Sequence, residues 1–216
     1  PARALEPPLA CRAATADCLA SMRRFDEHVW ISAADSLDLG AEETIELEFS
    51  GAPGPLGLVL AARQSFVSTY LFYQTIAFAG RAAASWLANL ERLGPAAIAN
   101  GLAMMRAVGT IEVQVAGEDG PWRTVGRYGE PGPIATDLTI LPLGEVSSGR
   151  AIKVRLRMAR GAWRVGYAAL ASIGDPVVPI ALEPVRVTRD GAVDSLALVR
   201  LRDPQRYLVT YPGDRY

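Results

Sequence analysis

Ala151-Ile152-Lys153-Val154-Arg155-Leu156-Arg157-Met158 alternates apolar and cationic residues without a break. Successive side chains on a strand point to opposite faces. The period of two therefore predicts a half-buried β-strand. Ile152, Val154, Leu156 and Met158 face a core, while Lys153, Arg155 and Arg157 face outward. Arg160-Gly161 reads as a turn into a further strand over 163–171. The same alternation recurs upstream, in Thr44-Ile45-Glu46-Leu47-Glu48-Phe49 and in Ile111, Val113 and Val115 with Glu112 and Gln114 between them. Further strands are expected at 56–62, 122–128, 134–143, 177–188 and 196–209. Gly51-Ala52-Pro53-Gly54-Pro55, Glu118-Asp119-Gly120 and Gly129-Glu130-Pro131-Gly132-Pro133 supply turns. Short strands with turn signals roughly every ten residues predict an antiparallel β-sandwich or jelly roll.

One stretch breaks this pattern. Ser65 can cap a helix running to about Leu93, along which Tyr70, Tyr73, Gly80, Ala84 and Leu87 recur at helical spacing. Gly94-Pro95 ends it, and a second helix over 96–107 carries Ile98, Leu102 and Met105. The class is therefore mostly β with a helical hairpin, an α+β arrangement with the helices against the sheet. Residues 1–27 read as a lead-in. Pro7-Pro8 argues against regular structure there, with a short helix expected within 13–24. The expected organisation is this lead-in followed by a single β-sandwich over 28–216, with the hairpin inserted at 65–108.

The composition narrows the chemistry. The chain has 216 residues, 50% apolar and 21% charged, enough for one good-sized core. A net charge of -1 argues against bulk electrostatic binding to nucleic acid, and the aromatic interleaving of single-strand platforms is missing. With one histidine, His28, a His-rich zinc site is excluded. Neighbouring residues on a strand or helix diverge, so Asp26-Glu27-His28 reads as surface rather than as a base. G-x-S-x-G, the Walker A pattern and G-x-G-x-x-G do not occur. Asp35-Ser36-Leu37-Asp38-Leu39-Gly40 lacks the spacing of a calcium loop and reads as an Asx-type turn. No metal or cofactor is expected, and no catalytic residue. Segment 66–80 falls short of the roughly 18–20 apolar residues of a membrane span.

Cys11 and Cys18 stand at i and i+7. On a continuous helix they would lie about 10 Å apart along the axis, whereas a disulfide needs Cα atoms within about 7 Å. A bridge requires this segment to be a loop and would place the protein outside the cytoplasm, periplasmic or secreted. Two buried thiols are the alternative. The start at Pro1 is read as the mark of a removed leader or of a longer parent chain.

Gly120-Pro121-Trp122 with Val125-Gly126, then 151–158 and 163–170, resembles the core hairpins of galactose-binding-like β-sandwich (jelly-roll) domains. The resemblance covers about a third of the chain, within 120–170, and implies the fold but brings no ligand motif.

Three functions follow as expectations. The first is a non-catalytic, extracytoplasmic interaction module, an accessory subunit of a larger bacterial assembly such as a respiratory or photosynthetic complex. Its candidate partner-binding residues are Phe66, Tyr70, Phe72 and Tyr73 on the apolar helix and Lys153, Arg155 and Arg157 on the basic strand. That helix could equally be the buried centre of the domain. The basic strand could be a solvated face, or it could meet an acidic protein or lipid headgroups in a peripheral membrane contact. The second function is a carbohydrate-binding sandwich, with Trp122, Trp163 and Tyr167 stacking on sugar rings. The third is a glycoside hydrolase using Asp137 or Glu183.

Overall fold

The computed structural model describes residues 2–14, 16–94, 96, 109–116, 120–129, 134–144 and 151–216. It contains two antiparallel sheets facing each other across one core. The five-stranded sheet runs β2-β3-β8-β5-β6 and the four-stranded sheet β1-β9-β4-β7. The strands are β1 (Ala2–Glu6), β2 (Ala10–Ala13), β3 (Glu42–Ser50), β4 (Leu56–Gln64), β5 (Thr110–Ala116), β6 (Arg123–Gly129), β7 (Asp137–Gly144), β8 (Ala151–Ala159) and β9 (Trp163–Ile173).

Strand β8 pairs with β3 on one side and β5 on the other. Ile152, Val154, Leu156 and Met158 are buried, as the alternation requires. They meet β4, which shows no alternation because it is central in its own sheet and covered on both faces. Leu58 and Leu60 enter the main core, while Val59 packs with Ala169 and Ala171 on the opposite face. Tyr128 of β6 ties the two sheets together. Its hydroxyl donates to the Ala62 carbonyl at 2.8 Å, and its ring meets Trp163 edge-on at 5.5 Å.

The segment 1–27 departs from the expected lead-in. β1 pairs with β9 and β2 with β3, so the first residues contribute a strand to each sheet. Pro7-Pro8 separates them. Proline has no N–H for a ladder, so the pair interrupts hydrogen bonding where the chain crosses between sheets. The expected helix shrinks to one turn, α1 (Leu19–Met22), whose Met22 is fully buried in the core. Cys11 and Cys18 form a disulfide, with Cα atoms 5.2 Å apart. An antiparallel bridge between Arg12 and Asp17 lies beside it.

Ser65 caps α2 (Phe66–Ala79), its Oγ accepting from the Val67 N–H at 3.2 Å. Gly80, at φ +54°, interrupts the expected single helix; a 3-10 turn, Gly80–Ala82, leads into α3 (Ala83–Leu93). The second helix expected over 96–107 lies outside the described residues, apart from Ala96, which is helical.

The chain divides into two compact units, Pro1–Asp175 and Pro176–Tyr216. The strands expected at 177–188 and 196–209 are largely absent from the described structure. A two-residue hairpin, β10 (Thr188–Arg189) with β11 (Ala192–Val193), turns at Asp190-Gly191, both with positive φ, and α4 (Ser195–Arg202) follows. Asp194 accepts from the Ala197 N–H at 2.8 Å as its N-cap, and Arg200 and Arg202 sit in the last turn. A capping carboxylate and terminal arginines outweigh the apolar run that suggests a strand.

The sheets carry irregularities at their rims. The register shifts on β1 around Ala4, on β6 at Val125 and on β7 at Leu143. Replacing both Cys11 and Cys18 with alanine should lower the unfolding free energy by about 2–3 kcal/mol, the loop-closure value for a ring this short. Urea denaturation of oxidised, reduced and double-variant protein measures it. Coincident midpoints for all three would show that the bridge adds nothing.

Candidate ligand-binding surface

The outer face of the five-stranded sheet is built by the outward half of each alternating strand. Register places side chains in rows across it. Arg12, Glu46, Arg155, Gln114 and Thr124 stand in one row, from β2 through β3, β8 and β5 to β6. Thr44, Arg157, Glu112 and Arg127 stand in the next. Arg155 donates from Nε (3.0 Å) and Nη2 (2.6 Å) to Glu46 Oε1. Arg157 reaches Glu42 Oε2 at 2.6 Å. Lys153 pairs in register with Glu48. The basic strand is thus matched by carboxylates of its own sheet.

Glu112 accepts from Gln114 Nε2 at 2.7 Å and from Thr124 Oγ1 at 3.0 Å, and Arg127 Nη2 lies 3.9 Å away. The Thr124 hydroxyl first, then Gln114 and the arginines Arg157 and Arg127, hold its carboxyl below the ordinary 4.5. Trp122 directly precedes β6. The Arg155 guanidinium carbon sits 4.0 Å from its ring centroid, so the indole is half-buried and stacked on a cation that Glu46 orients.

The structure does not bring the three aromatic candidates together. Trp163 is fully buried, so it cannot stack on a sugar; it is the largest side chain of the core. Tyr167 is half-buried against Val59 and Ala169 on the outer side of the other sheet, edge-on to Phe25 at 6.3 Å. Only Trp122 of the three reaches the five-stranded outer face.

Helix α2 is not the buried centre of the domain. Ser68 is its one buried residue, while Phe66, Tyr70, Tyr73 and Phe78 are 69%, 60%, 64% and 97% exposed. Phe72 is half-buried, edge-on to Tyr73 at 5.9 Å. The first two turns of α2 are anchored. Ser65 Oγ donates to the Gly161 carbonyl, Ser68 Oγ donates within reach of Gln64 Oε1 and the Ser65 carbonyl (2.9 Å each), and Leu71 packs on the core.

Asp137 is an exposed carboxylate opening β7 in the first unit, and Glu183 is exposed in the second, 3.9 Å from Arg202. His28 is exposed, its Nδ1 3.3 Å from Asp26 Oδ1. Asp35 accepts from the N–H groups of Leu37 (2.9 Å) and Asp38 (3.1 Å), as an Asx-type turn does. Sequence reasoning missed Glu43, which is 8% exposed. It accepts from Ser32 Oγ at 2.6 Å and Trp30 Nε1 at 3.4 Å, and Ser32 Oγ accepts from the Gly161 N–H at 2.9 Å. The signal was available, because Glu43 falls in the inward phase of β3 with Ile45 and Leu47.

No protein-family model matches the sequence, and no curated protein does. Among solved structures, the chain is similar to TmCBM61, a carbohydrate-binding module solved in complex with beta-1,4-galactotriose. The two share 14% identity over 79% of this chain and 87% of that chain, with a TM-score of 0.33. A likeness at that level carries no argument about function.

Because the folded Glu112 pKa lies below its unfolded value, its ionisation stabilises the fold above about pH 4.5, and that contribution fades as pH falls through the lowered pKa. Thr124→Val should move the carboxyl back up toward its ordinary value. A carbon-13 NMR titration of the Glu112 carboxyl tests this; an unchanged midpoint would assign the depression to Gln114 and the arginines instead.

Proposed function

We propose that this chain is a non-catalytic, extracytoplasmic carbohydrate-binding β-sandwich with Trp122 as its sugar platform. The observation that carries the reading is the row of Glu46, Arg155, Gln114 and Thr124 with Trp122 stacked on its Arg155. A sugar presents an apolar C–H face together with a fan of hydroxyls. An indole supplies area for the first, and planar carboxylate, guanidinium and amide groups supply paired donors and acceptors for the second. The Arg155–Glu46 pair fixes the platform before a ligand arrives, which reduces the ordering cost of binding. Adjacent strands lie about 4.8 Å apart, so the five-strand row is about 19 Å long, suited to an oligosaccharide rather than a single ring. The buried disulfide supports an oxidising compartment.

Glycan-array screening followed by calorimetry tests the reading. Trp122→Ala should weaken the best ligand at least ~10-fold, equivalent to ~1.4 kcal/mol. Gln114→Ala should weaken it less, with both variants still folded. Retained affinity in Trp122→Ala would reject Trp122 as the platform.

A second reading, docking as an accessory subunit, is favoured by α2. A helix apolar on several sides is normally buried, yet this one leaves Phe66, Tyr70 and Tyr73 exposed. Light scattering of native-source material separates the two readings. A stable hetero-complex lost on Tyr70→Glu with Tyr73→Glu supports docking, and a lone chain that binds glycans supports the sugar reading.

A further inference from the structure

The unit Pro176–Tyr216 contains a cavity of about 330 Å³, within the roughly 300–1,000 Å³ of small-molecule sites. One wall is rigid. Asp214 accepts from the Tyr211 N–H at 2.8 Å and from Arg189 Nη2 at 2.6 Å, and the Arg189 guanidinium lies over the Tyr216 ring, 6.0 Å from its centroid. The Tyr211 N–H and then Arg189 hold the Asp214 carboxyl below its ordinary value, so this wall is ionised and paired at neutral pH. The opposite wall is α4, with Asp194 at its N-cap, Leu196 and Ala197 on the surface of the cavity, and Arg200 one turn on. Asp194 commits Oδ1 to the Ala197 N–H. Among the described residues no hydrogen bond or ion pair engages the half-buried Arg200 guanidinium.

Arg189 and Asp214 neutralise one another, which leaves one cation, Arg200, and one carboxylate, Asp194. A site with balanced charge does not select a free anion. It offers a forked donor, an acceptor, apolar lining from Leu196, Leu208 and Val209, and the rings of Tyr211 and Tyr216, which are 68% and 46% exposed. A neutral ring carrying several hydroxyls and one apolar face uses each of these. We propose that this unit holds a second binding site, for a neutral monosaccharide, with Arg200 as its anchor. The site is built wholly from residues 189–216 and does not depend on Trp122.

The test is a nitrogen-15 NMR titration of the full chain with D-galactose, D-glucose and D-mannose, with L-leucine and sodium phosphate as controls. The expected result is saturable shifts in residues 189–216 with a millimolar Kd for one of the sugars. Arg200→Met keeps the packing of the stem and should weaken that binding at least tenfold. Arg200→Lys should rescue it poorly, because an ammonium lacks the planar fork. Trp122→Ala should leave it unchanged, which separates this site from the sandwich face. If Arg200→Met perturbs folding, Tyr211→Ala at the rim should still weaken binding. The proposal is overturned if none of the three sugars gives saturable shifts in 189–216, if both Arg200→Met and Tyr211→Ala bind as tightly as the parent, or if only leucine or phosphate saturates the site. A zwitterion or an anion would then be its ligand.

Discussion

Strand β8 can pair in one register only, and the sandwich is organised around that restriction. Shifting it by one residue would turn Lys153, Arg155 and Arg157 into the core and put Ile152, Val154 and Leu156 in water. The exposed ion pairs with Glu46 and Glu42 add little to stability individually, since such pairs contribute about 0–1 kcal/mol. Their effect is on alignment. With β3 and β5 placing glutamates beside each arginine, the correct register is the one in which the charges meet. The turn at Gly161 then sends β9 into the facing sheet. Gly161 has φ +72°, and a Cβ there would lie 2.6 Å from the Ala34 backbone nitrogen, so a side chain is barred from the corner where Ser32 and Ser65 attach.

That same alternation decides how much could be read in advance. β3, β5 and β8 are legible because each has one wet and one dry face. β4 has two dry faces and announces burial without direction. β1 and β2 are hidden because Pro7-Pro8 looks like a reason for disorder, when it marks a crossover. The tryptophans show the limit at the level of a site. Pro121-Trp122-Arg123 and Ala162-Trp163-Arg164 are alike locally, with arginine following each ring. Strand phase separates them. Trp163 falls in line with the buried Val165, whereas Trp122 precedes its strand and meets Arg155 across the sheet. Composition cannot supply that phase, and neither can it pair Ser32 with Glu43 across the end of the sandwich.

Helix α2 shows the opposite case, in which composition is plain and context is missing from it. Apolar residues predominate in it, and Ser65, Ser68 and Leu71 fasten its N-terminal half to the sandwich. The rest extends from a corner that is itself heavily hydrogen-bonded, through Gly161, Ser32 and the buried Glu43. This hydrogen-bonded root carries a stem on which Tyr70, Tyr73 and Phe78 are exposed.

The register irregularities described for the outer strands have a consequence for how copies of this chain treat each other. An open sheet edge is a template on which a foreign strand can polymerise. Here the four-stranded sheet ends at β1, which bulges at Ala4, and at β7, which bulges near Leu143 and carries Pro142 with no N–H to offer. The five-stranded sheet ends at β6, kinked at Val125, and at β2, four residues long and tethered by its disulfide. Each rim is shortened or bent out of the flat geometry that fibril growth needs. A protein so rich in β-structure can therefore be crowded at high local concentration with these edges closed to amyloid-like stacking.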